Sequence, residues 1–381
     1  MKRKVKIFLF LIFLTIVIYS CQQTERYHSI TTVDVDVASN SELKLSKYFE
    51  NFRMLKLPSD SVIGEINRIR YDNNLIYISD KRTMFIFSNS GELLSSFTKR
   101  GRGPGEYSSI TDFTVDGNEI IILDRSLRKL LVYNHFGECI SNRSLEYWAQ
   151  AISPVVNNIY FLYFGTQYND NNEGHKLCKV KFGQEESLYL DIDKNKEKYL
   201  RIFSRHNFYH HKESIYFFEA FNDTVYNTVE DGSMQPLFYV DYKGKNIPSS
   251  FFKKGYTDIL NFFEEFNMTS YAYGVVDFVV NDHFLMFGSY YQKNMKLTVF
   301  DRERQISNTF SSVYDDIYFN GLNIPVSKFT YHADNNYVFF PMNAFEVVNW
   351  RNTHSPALQY MKMVNSTKEE DNPLLLIFDL K

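Results

Sequence analysis

Residues 67–80, NRIRYDNNLIYISD, and residues 111–124, TDFTVDGNEIIILD, are two copies of one unit. The similarity continues downstream, where residues 84–94, MFIFSNSGELL, align with residues 130–140, LLVYNHFGECI. The copies lie 44 residues apart in the first half and 46 in the second, so they differ by a two-residue insertion. Short apolar runs separated by Asp, Asn and Gly turns, at a period in the forties, are typical of a propeller blade. The repeat therefore predicts an all-β propeller.

The remainder of the chain supplies more blades of the same length. A central strand that neighbouring blades cover on both faces should be almost wholly apolar, as residues 75–78 and 120–123 are. Three further blades fit residues 156–190, 202–240 and 275–301. A last blade begins with residues 328–340 and ends with the strand 374–380. About 340 residues at this repeat length predict six blades.

Two segments interrupt the strand pattern. Over residues 249–267 the apolar side chains recur every three or four positions, which predicts one amphipathic helix capped by Ser249 or Ser250. We expect this helix to pack on the propeller body, and a partner-binding helix is the alternative. Residues 343–372, which include Trp350, show no periodicity and are predicted to be an irregular surface loop.

Both ends of the domain carry a strand-like segment. Residues 52–57 stop at Pro58, and residues 374–380 are nearly all apolar. Pairing the first strand with the last blade would remove a free sheet edge and close the ring. We therefore expect these two segments to lie in the same blade.

The N-terminus has the features of a signal peptide. Four basic residues lie in 1–6, and the apolar run 7–18 is too short to cross a bilayer of about 30 Å at 1.5 Å per residue. Residues 18–21, IYSC, resemble a bacterial lipobox, which predicts lipidation of Cys21 and cleavage before it. Ordinary secretory cleavage, with Cys21 incidental, is the alternative. The predicted organisation is a signal peptide over 1–20, a flexible tether over 21–41 and the propeller over 42–381.

Charge and cysteine content narrow the classes of partner. Removing residues 1–20 leaves 38 of the 42 Lys and Arg residues against 45 Asp and Glu, a net charge of −7 that disfavours nucleic acid. Cys139 and Cys178 are too few for a disulfide framework and have no metal-ligand spacing. They are expected to be either two buried thiols or a single bridge.

Several motifs together resemble a known family. They are residues 63–69, IGEINRI, the turn over 87–92, residues 103–107, GPGEY, and the closing residues 372–381, NPLLLIFDLK. These resemble the six-bladed β-propeller lipoproteins of Gram-negative bacteria, which are related to NHL-type propellers and largely lack an assigned function. The resemblance implies the fold and a lipid-anchored place in the cell envelope, at the outer membrane. It implies no catalytic residue and no cofactor.

The most unusual stretch is residues 99–107, KRGRGPGEY, which links blade 1 to blade 2. Its glycines superficially resemble a phosphate loop, but a strand follows where such a loop needs a helix. Repeat alignment places this loop on the same face of the disc as the turns after the second strands. Five basic residues are therefore candidates for binding an anionic ligand: Lys81, Arg82, Arg100, Arg102 and Arg125. The alternative is that the glycines only permit a tight crossing, while Glu106 and nearby Asp residues neutralise the arginines.

No catalytic motif stands out. His206, His210 and His211 form the one histidine cluster, but in a strand 206 and 210 lie about 13 Å apart, too far for one metal ion. We expect a monomeric, lipid-anchored domain that binds or scaffolds a glycan, peptide or protein, with no cofactor, metal or nucleic acid. The alternative is a lyase or hydrolase with its site at the mouth of the central channel. That would need titratable side chains within hydrogen-bond reach in the channel.

Overall fold

The computed structural model describes residues 30–155, 159–166, 173–181, 187–197, 206–229, 232–319, 321–329, 332–334, 336–352 and 354–381. Within these residues the strands form six separate sheets arranged as the blades of a propeller. The predicted fold class, an all-β six-bladed propeller, is confirmed.

Three strands precede the first blade. They are β1 (Thr31–Asp34), β2 (Ser41–Lys44) and β3 (Phe49–Lys56), with a short helix over Leu45–Tyr48 before β3. The first two add to the outer edges of later blades, and the third completes the last blade.

Blades 1 to 3 are four-stranded antiparallel sheets. Blade 1 contains β4 (Arg68–Asp72), β5 (Leu75–Ser79), β6 (Met84–Ser88) and β7 (Leu93–Phe97). Blade 2 contains β8 (Asp112–Asp116), β9 (Glu119–Asp124), β10 (Lys129–Tyr133) and β11 (Cys139–Ser144). Blade 3 contains β12 (Ala151–Pro154), β13 (Ile159–Tyr163), β14 (His175–Lys181) and β15 (Ser187–Asp191), followed by a helix over Lys194–Glu197.

Blades 4 to 6 carry the additions. Blade 4 contains β16 (Phe208–His211), β17 (Ser214–Phe217), β18 (Thr224–Thr228) and β19 (Met234–Asp241). Blade 5 contains β20 (Ala272–Val280), β21 (Phe284–Tyr291), β22 (Asn294–Asp301) and β23 (Ile306–Asp315), with β24 (Leu322–Pro325) on β23. Blade 6 contains β25 (His332–Asp334), β26 (Tyr337–Met342), β27 (Leu374–Leu380) and β3.

Strands from the two ends of the domain close the ring. β3 pairs antiparallel with β27, from Lys56 opposite Leu374 to Phe49 opposite Leu380. The predicted closure is confirmed. The innermost strands, β4, β8, β12, β16, β20 and β25, contact their neighbours in order around the axis, and β25 contacts β4.

The tether prediction needs a correction. Residues 21–29 lie outside the described residues, but β1 pairs in parallel with β19 and β2 pairs in parallel with β23. Val33, Val35 and Val37 are buried, since their alternate spacing places all three on the face that meets the core. The stretch from Thr31 onward is therefore part of the folded domain.

Aromatic side chains fill the space between blades. Between blades 1 and 2, four rings, those of Tyr77, Phe97, Tyr107 and Tyr133, are buried in one cluster. The Phe97 and Tyr133 ring centroids lie 5.2 Å apart, and Tyr107 meets Tyr133 edge to face at 6.2 Å. Sheets that radiate from an axis diverge outward, so large planar side chains are needed to fill the wedge. This explains why aromatic residues make up as much as 17% of the chain.

The predicted single helix over 249–267 is two helices. They span Ser249–Phe252 and Ile259–Asn267, and the chain between them contains Gly255 with φ +75°. Asp258 caps the second helix by accepting a hydrogen bond from Asn261 N at 2.9 Å, whereas no side chain caps the first. The expected packing on the body is confirmed, because Phe262 meets Phe221 edge to face at 5.7 Å and Phe266 meets Tyr273 of β20 edge to face at 5.1 Å.

The prediction of an irregular surface loop over 343–372 is wrong. The segment contains helices over Ala344–Arg351 and Met361–Ser366 and a 3-10 turn over Leu358–Tyr360. Val347, Trp350 and Val364 are buried against the largest apolar cluster. These helices are too short to show a clear period in the sequence, so tertiary packing decides them.

The two remaining cysteines are not bridged to each other, and they differ in exposure: Cys178 is buried and Cys139 is exposed. The alternative of a single bridge and the expectation of two buried thiols are both wrong. No helix among the described residues is long and apolar enough to cross a bilayer.

Candidate ligand-binding site

The basic loop, residues 99–107, is held rigidly against blades 1 and 2. Buried Tyr107 anchors it, donating from its hydroxyl to Arg82 O at 2.8 Å and from its backbone N to Lys99 O at 2.9 Å. Tyr133 OH donates to Gly105 O at 2.9 Å, and Gly101 N donates to Tyr107 O at 2.9 Å. The loop is therefore a fixed structure that presents its side chains in a defined place.

The glycines of this loop have two different roles. Gly105 has φ +72°, a conformation that strains other residues. Gly101 allows close approach, because a Cβ there would overlap the Glu106 carboxylate. That carboxylate turns inward and accepts a hydrogen bond from Gly103 N at 2.8 Å. Glu106 thus stabilises the loop backbone.

Arg100 and Arg102 project from this rigid loop. Both are exposed, and with Gly101 and Ser108 they line an open groove of about 400 Å³. Within the described part of the chain, neither guanidinium lies within 4 Å of a carboxylate. The alternative expectation that Glu106 neutralises them is wrong, since the Glu106 carboxylate bonds to Gly103 instead.

The structure brings the backbone of the other three predicted bases to the same region. Ile110 N donates to Lys81 O at 2.8 Å, and Ser108 N and Oγ donate to Asp124, next to Arg125. The side chains of these three residues, however, have different surroundings. Lys81 lies 4.0 Å from Glu65, Arg82 is exposed, and burial lowers the pKa of Arg125. The groove itself is lined by Arg100 and Arg102, so these two are the strongest candidates.

The central channel holds a buried polar cluster that the sequence analysis missed. Arg70 Nη1 lies 2.9 Å from Asp334 Oδ1, and Arg70 Nε donates to Phe113 O at 3.3 Å, so Arg70 joins blades 1, 2 and 6. Arg68 Nε lies 3.5 Å from Asp112 Oδ1. The sequence does carry a signal for this cluster. Arg68 and Arg70 occupy alternate positions of a strand predicted to be innermost, where apolar residues are expected.

The three histidines of the predicted cluster have separate partners around this channel. His206 Nε2 lies 3.0 Å from His332 Nδ1, and His210 Nε2 lies 2.6 Å from Ser153 Oγ. His211 contacts Asp282 at 3.3 Å. Burial and the nearby positive charge of Arg70 lower the pKa of His210 to about 3. Across the described residues, no three His, Cys, Asp or Glu side chains are grouped to hold a metal ion.

Titratable groups therefore do converge in the channel, which is the arrangement an enzyme would need. The space beside them is small, about 50 Å³ between Arg70, Thr114, His210 and Asp334. Pockets for whole ligands are typically about 300–1,000 Å³, so this space suits a few water molecules better than a polymer. A histidine with a pKa of about 3 is also a weak general base at neutral pH. The geometry favours a structural role for the channel cluster.

A family model covers nearly all of this domain. Residues 30–379 match the family described as "Domain of unknown function (DUF4934)". The chain belongs to this family. The match begins at the residue before β1, which agrees with the first two strands being part of the fold. Among curated proteins, no match is found for this member of the family.

Solved structures share the propeller fold at low sequence identity. A protein of Bacteroides fragilis whose name describes it as exported is 18% identical, with a TM-score of 0.72 over 93% of this chain and 100% of that one. A DUF4221 family member from Bacteroides vulgatus is 10% identical, with a TM-score of 0.50 over 87% and 97%. Virginiamycin B lyase from Staphylococcus aureus is 13% identical, with a TM-score of 0.43 over 77% and 81%. At these identities the likeness to the two Bacteroides proteins shows the fold alone.

Proposed function

We propose that this DUF4934 protein is a binding module of the cell envelope, held at the outer membrane by a lipid on Cys21. It captures an acidic ligand in the groove of Arg100 and Arg102. One observation carries the proposal: both arginines are exposed on a rigid loop whose own carboxylate, Glu106, faces inward.

Stability alone gives little reason for these arginines. Exposed ion pairs contribute only about 0–1 kcal/mol, and here no partner carboxylate lies within 4 Å among the described residues. The net charge of the mature chain is −7, so a basic groove runs against the overall charge. A guanidinium presents a planar fork of donors that matches a carboxylate, sulfate or phosphate. The groove therefore favours a ligand that carries such groups.

The size of the groove favours a short segment of an acidic glycan or peptide. Its volume of about 400 Å³ lies in the range of about 300–1,000 Å³ that ligand pockets occupy. The groove is open rather than enclosed, and a site that binds a segment of a long polymer must be open. Membrane attachment would hold this groove near polymers at the cell surface.

The test is the double substitution Arg100→Gln and Arg102→Gln. Binding of an oligogalacturonate and of a Glu-rich peptide is measured by calorimetry at low and high salt. We expect the double variant to lose at least about tenfold in affinity, because it removes two charged hydrogen-bond donors. The loss should shrink at high salt, and the melting temperature should stay nearly unchanged.

Arg304→Gln is the matched control, because the Arg304 side chain is 80% exposed and lies on blade 5. It should bind both probes as the unmodified protein does. If the double variant binds both probes normally, or if the control loses as much affinity, the groove is not the site.

A further inference from the structure

A second pocket, of about 160 Å³, lies between blades 4 and 5. Phe221 and Asp223 reach it from the turn between β17 and β18, Tyr239 from β19 and Tyr273 from β20. Lys196 closes one side from the helix Lys194–Glu197.

Aromatic rings form the apolar wall of this pocket. The rings of Phe221 and Tyr273 are stacked, with centroids 4.5 Å apart and planes 4° apart. Behind them, Phe262 of the helix Ile259–Asn267 meets Phe221 edge to face at 5.7 Å, so the inserted helices support the wall. Tyr239 is 39% exposed. A large aromatic side chain left this open at a pocket is available to a ligand.

The polar side of the pocket offers one cation and one anion. Lys196 Nζ donates to Phe221 O at 2.8 Å and lies 4.4 Å from the centroid of the Phe252 ring. Asp223 Oδ2 accepts a hydrogen bond from Asn246 Nδ2 at 2.8 Å. Burial lowers the pKa of Lys196 and raises that of Asp223. Within the described residues, Lys196 Nζ donates one hydrogen bond and Asp223 accepts one through its side chain, so a further ammonium proton and the other oxygen can each bind a ligand hydroxyl.

A buried network holds the polar side in place. Glu219 pairs with Lys176, accepts a hydrogen bond from Tyr163 OH at 2.9 Å and accepts another from Asn222 Nδ2 at 3.2 Å. Asn222 precedes Asp223 and also lines the pocket. The turn that carries Asn222 and Asp223 is thus held from blade 3 as well as from blade 4, which favours a site formed before the ligand arrives.

We propose that this pocket binds one neutral, six-membered sugar ring. At about 160 Å³ the pocket is smaller than the usual range of about 300–1,000 Å³ for ligand pockets, so it can take one ring at most and not a longer glycan. Such a sugar has an apolar face for Tyr239 and hydroxyls for Lys196 and Asp223. Because the charges of Lys196 and Asp223 cancel, the pocket favours a ring that carries no net charge. This site is independent of the groove of Arg100 and Arg102.

The proposal is tested by saturation-transfer NMR on the mature protein, with the methyl glycosides of glucose, galactose and mannose as probes. We expect at least one probe to show saturation transfer, strongest at the protons of one ring face. Tyr239→Ala should weaken that binding about tenfold, because it removes the exposed stacking surface. Phe136→Ala is the matched control, since Phe136 is 81% exposed on blade 2, and it should bind as the unmodified protein does.

Asp223→Asn gives a second test that keeps the shape of the side chain. One oxygen remains to accept from Asn246, so the fold should hold while the affinity falls several-fold. The proposal is overturned if none of the three glycosides shows saturation transfer, or if Tyr239→Ala and Asp223→Asn both bind normally. If the methyl glycoside of glucuronic acid binds and the three neutral glycosides do not, the proposal of a neutral ligand is overturned. Loss of oligogalacturonate binding alone would concern only the groove.

Discussion

At the scale of one residue, Asp315 shows how burial in the fold raises the free energy needed to ionise a carboxyl group. Its side chain is 1% exposed, and Oδ1 accepts hydrogen bonds from Ile317 N at 2.9 Å and Tyr318 N at 2.8 Å. Its Oδ2 has no hydrogen-bond partner among the described residues. Burial, with a smaller effect of Asp316, raises the pKa of Asp315 to about 6. The folded protein therefore keeps this carboxyl group protonated to a higher pH than the unfolded chain does.

This gives a pH-dependent prediction for Asp315→Asn. Because the folded pKa of about 6 exceeds the ordinary value of 3.8, the stability that the neutral acid contributes is lost as the pH rises through that range. An asparagine keeps the Oδ1 acceptor and stays neutral. At pH 7.5 we expect the variant to be more stable to urea by up to about 3 kcal/mol, and near pH 4 the difference should vanish.

Asp316→Asn is the contrasting control. Its carboxylate accepts hydrogen bonds from Ser46 N, at 3.0 Å, and from Ser46 Oγ, so neutralising it should lower stability. Parallel curves of unfolding free energy against pH for Asp315→Asn and the unmodified protein would contradict a raised pKa at Asp315.

At the scale of elements, β27 connects the two ends of the domain. It pairs with β26 on one side and β3 on the other, and most of its side chains are buried. Its removal would leave β3 without a partner strand and divide blade 6.

Deleting residues 373–381 should therefore destabilise the whole ring. We expect thermal unfolding followed by circular dichroism to show a much lower midpoint or no cooperative transition, because an open ring exposes sheet edges and the core between blades. Lys381→Ala is the control, since this exposed residue lies beyond β27 and the variant keeps the backbone hydrogen bond to Tyr48 O, at 2.9 Å; it should change the midpoint little. A truncated domain that melts like the intact one would show that this closure is not needed.

At the scale of the whole molecule, the N-terminal segment wraps three blades. β1 covers the outer edge of blade 4, β2 that of blade 5, and β3 completes blade 6. The lipid proposed on Cys21 would attach nine residues before Ile30, the first residue that the structure describes.

Lipidation predicts that Cys21→Ala moves the protein from the membrane fraction to the soluble fraction. Acyl chains contribute about 0.8 kcal/mol per buried methylene, so their loss should abolish anchoring. Cys139→Ala, which removes an exposed thiol elsewhere, should stay with the membrane. Mass spectrometry of the mature N-terminus decides the matter, and an unmodified N-terminus at another residue would exclude the anchor.

The sequence alone determined the parts of this protein that depend on local pattern. The repeat at residues 67–140, the six blades and the strand at each end follow from apolar spacing and turn residues. The missed strand β1 shows the limit of that approach, because its four residues, Thr31–Asp34, include one apolar side chain and so carry too little pattern. The helices over 344–366 were missed for the same reason.

Only the tertiary structure decided where the candidate sites lie. Lys196, Asp223, Tyr239 and Tyr273 come from four separate elements, and nothing in their spacing brings them together. Arg70 and Arg100 are equally charged in the sequence, yet one is buried against Asp334 and the other is exposed on a groove. Whether an arginine is paired or can bind a ligand depends on the residues around it in space, and closure of the ring determines which residues those are.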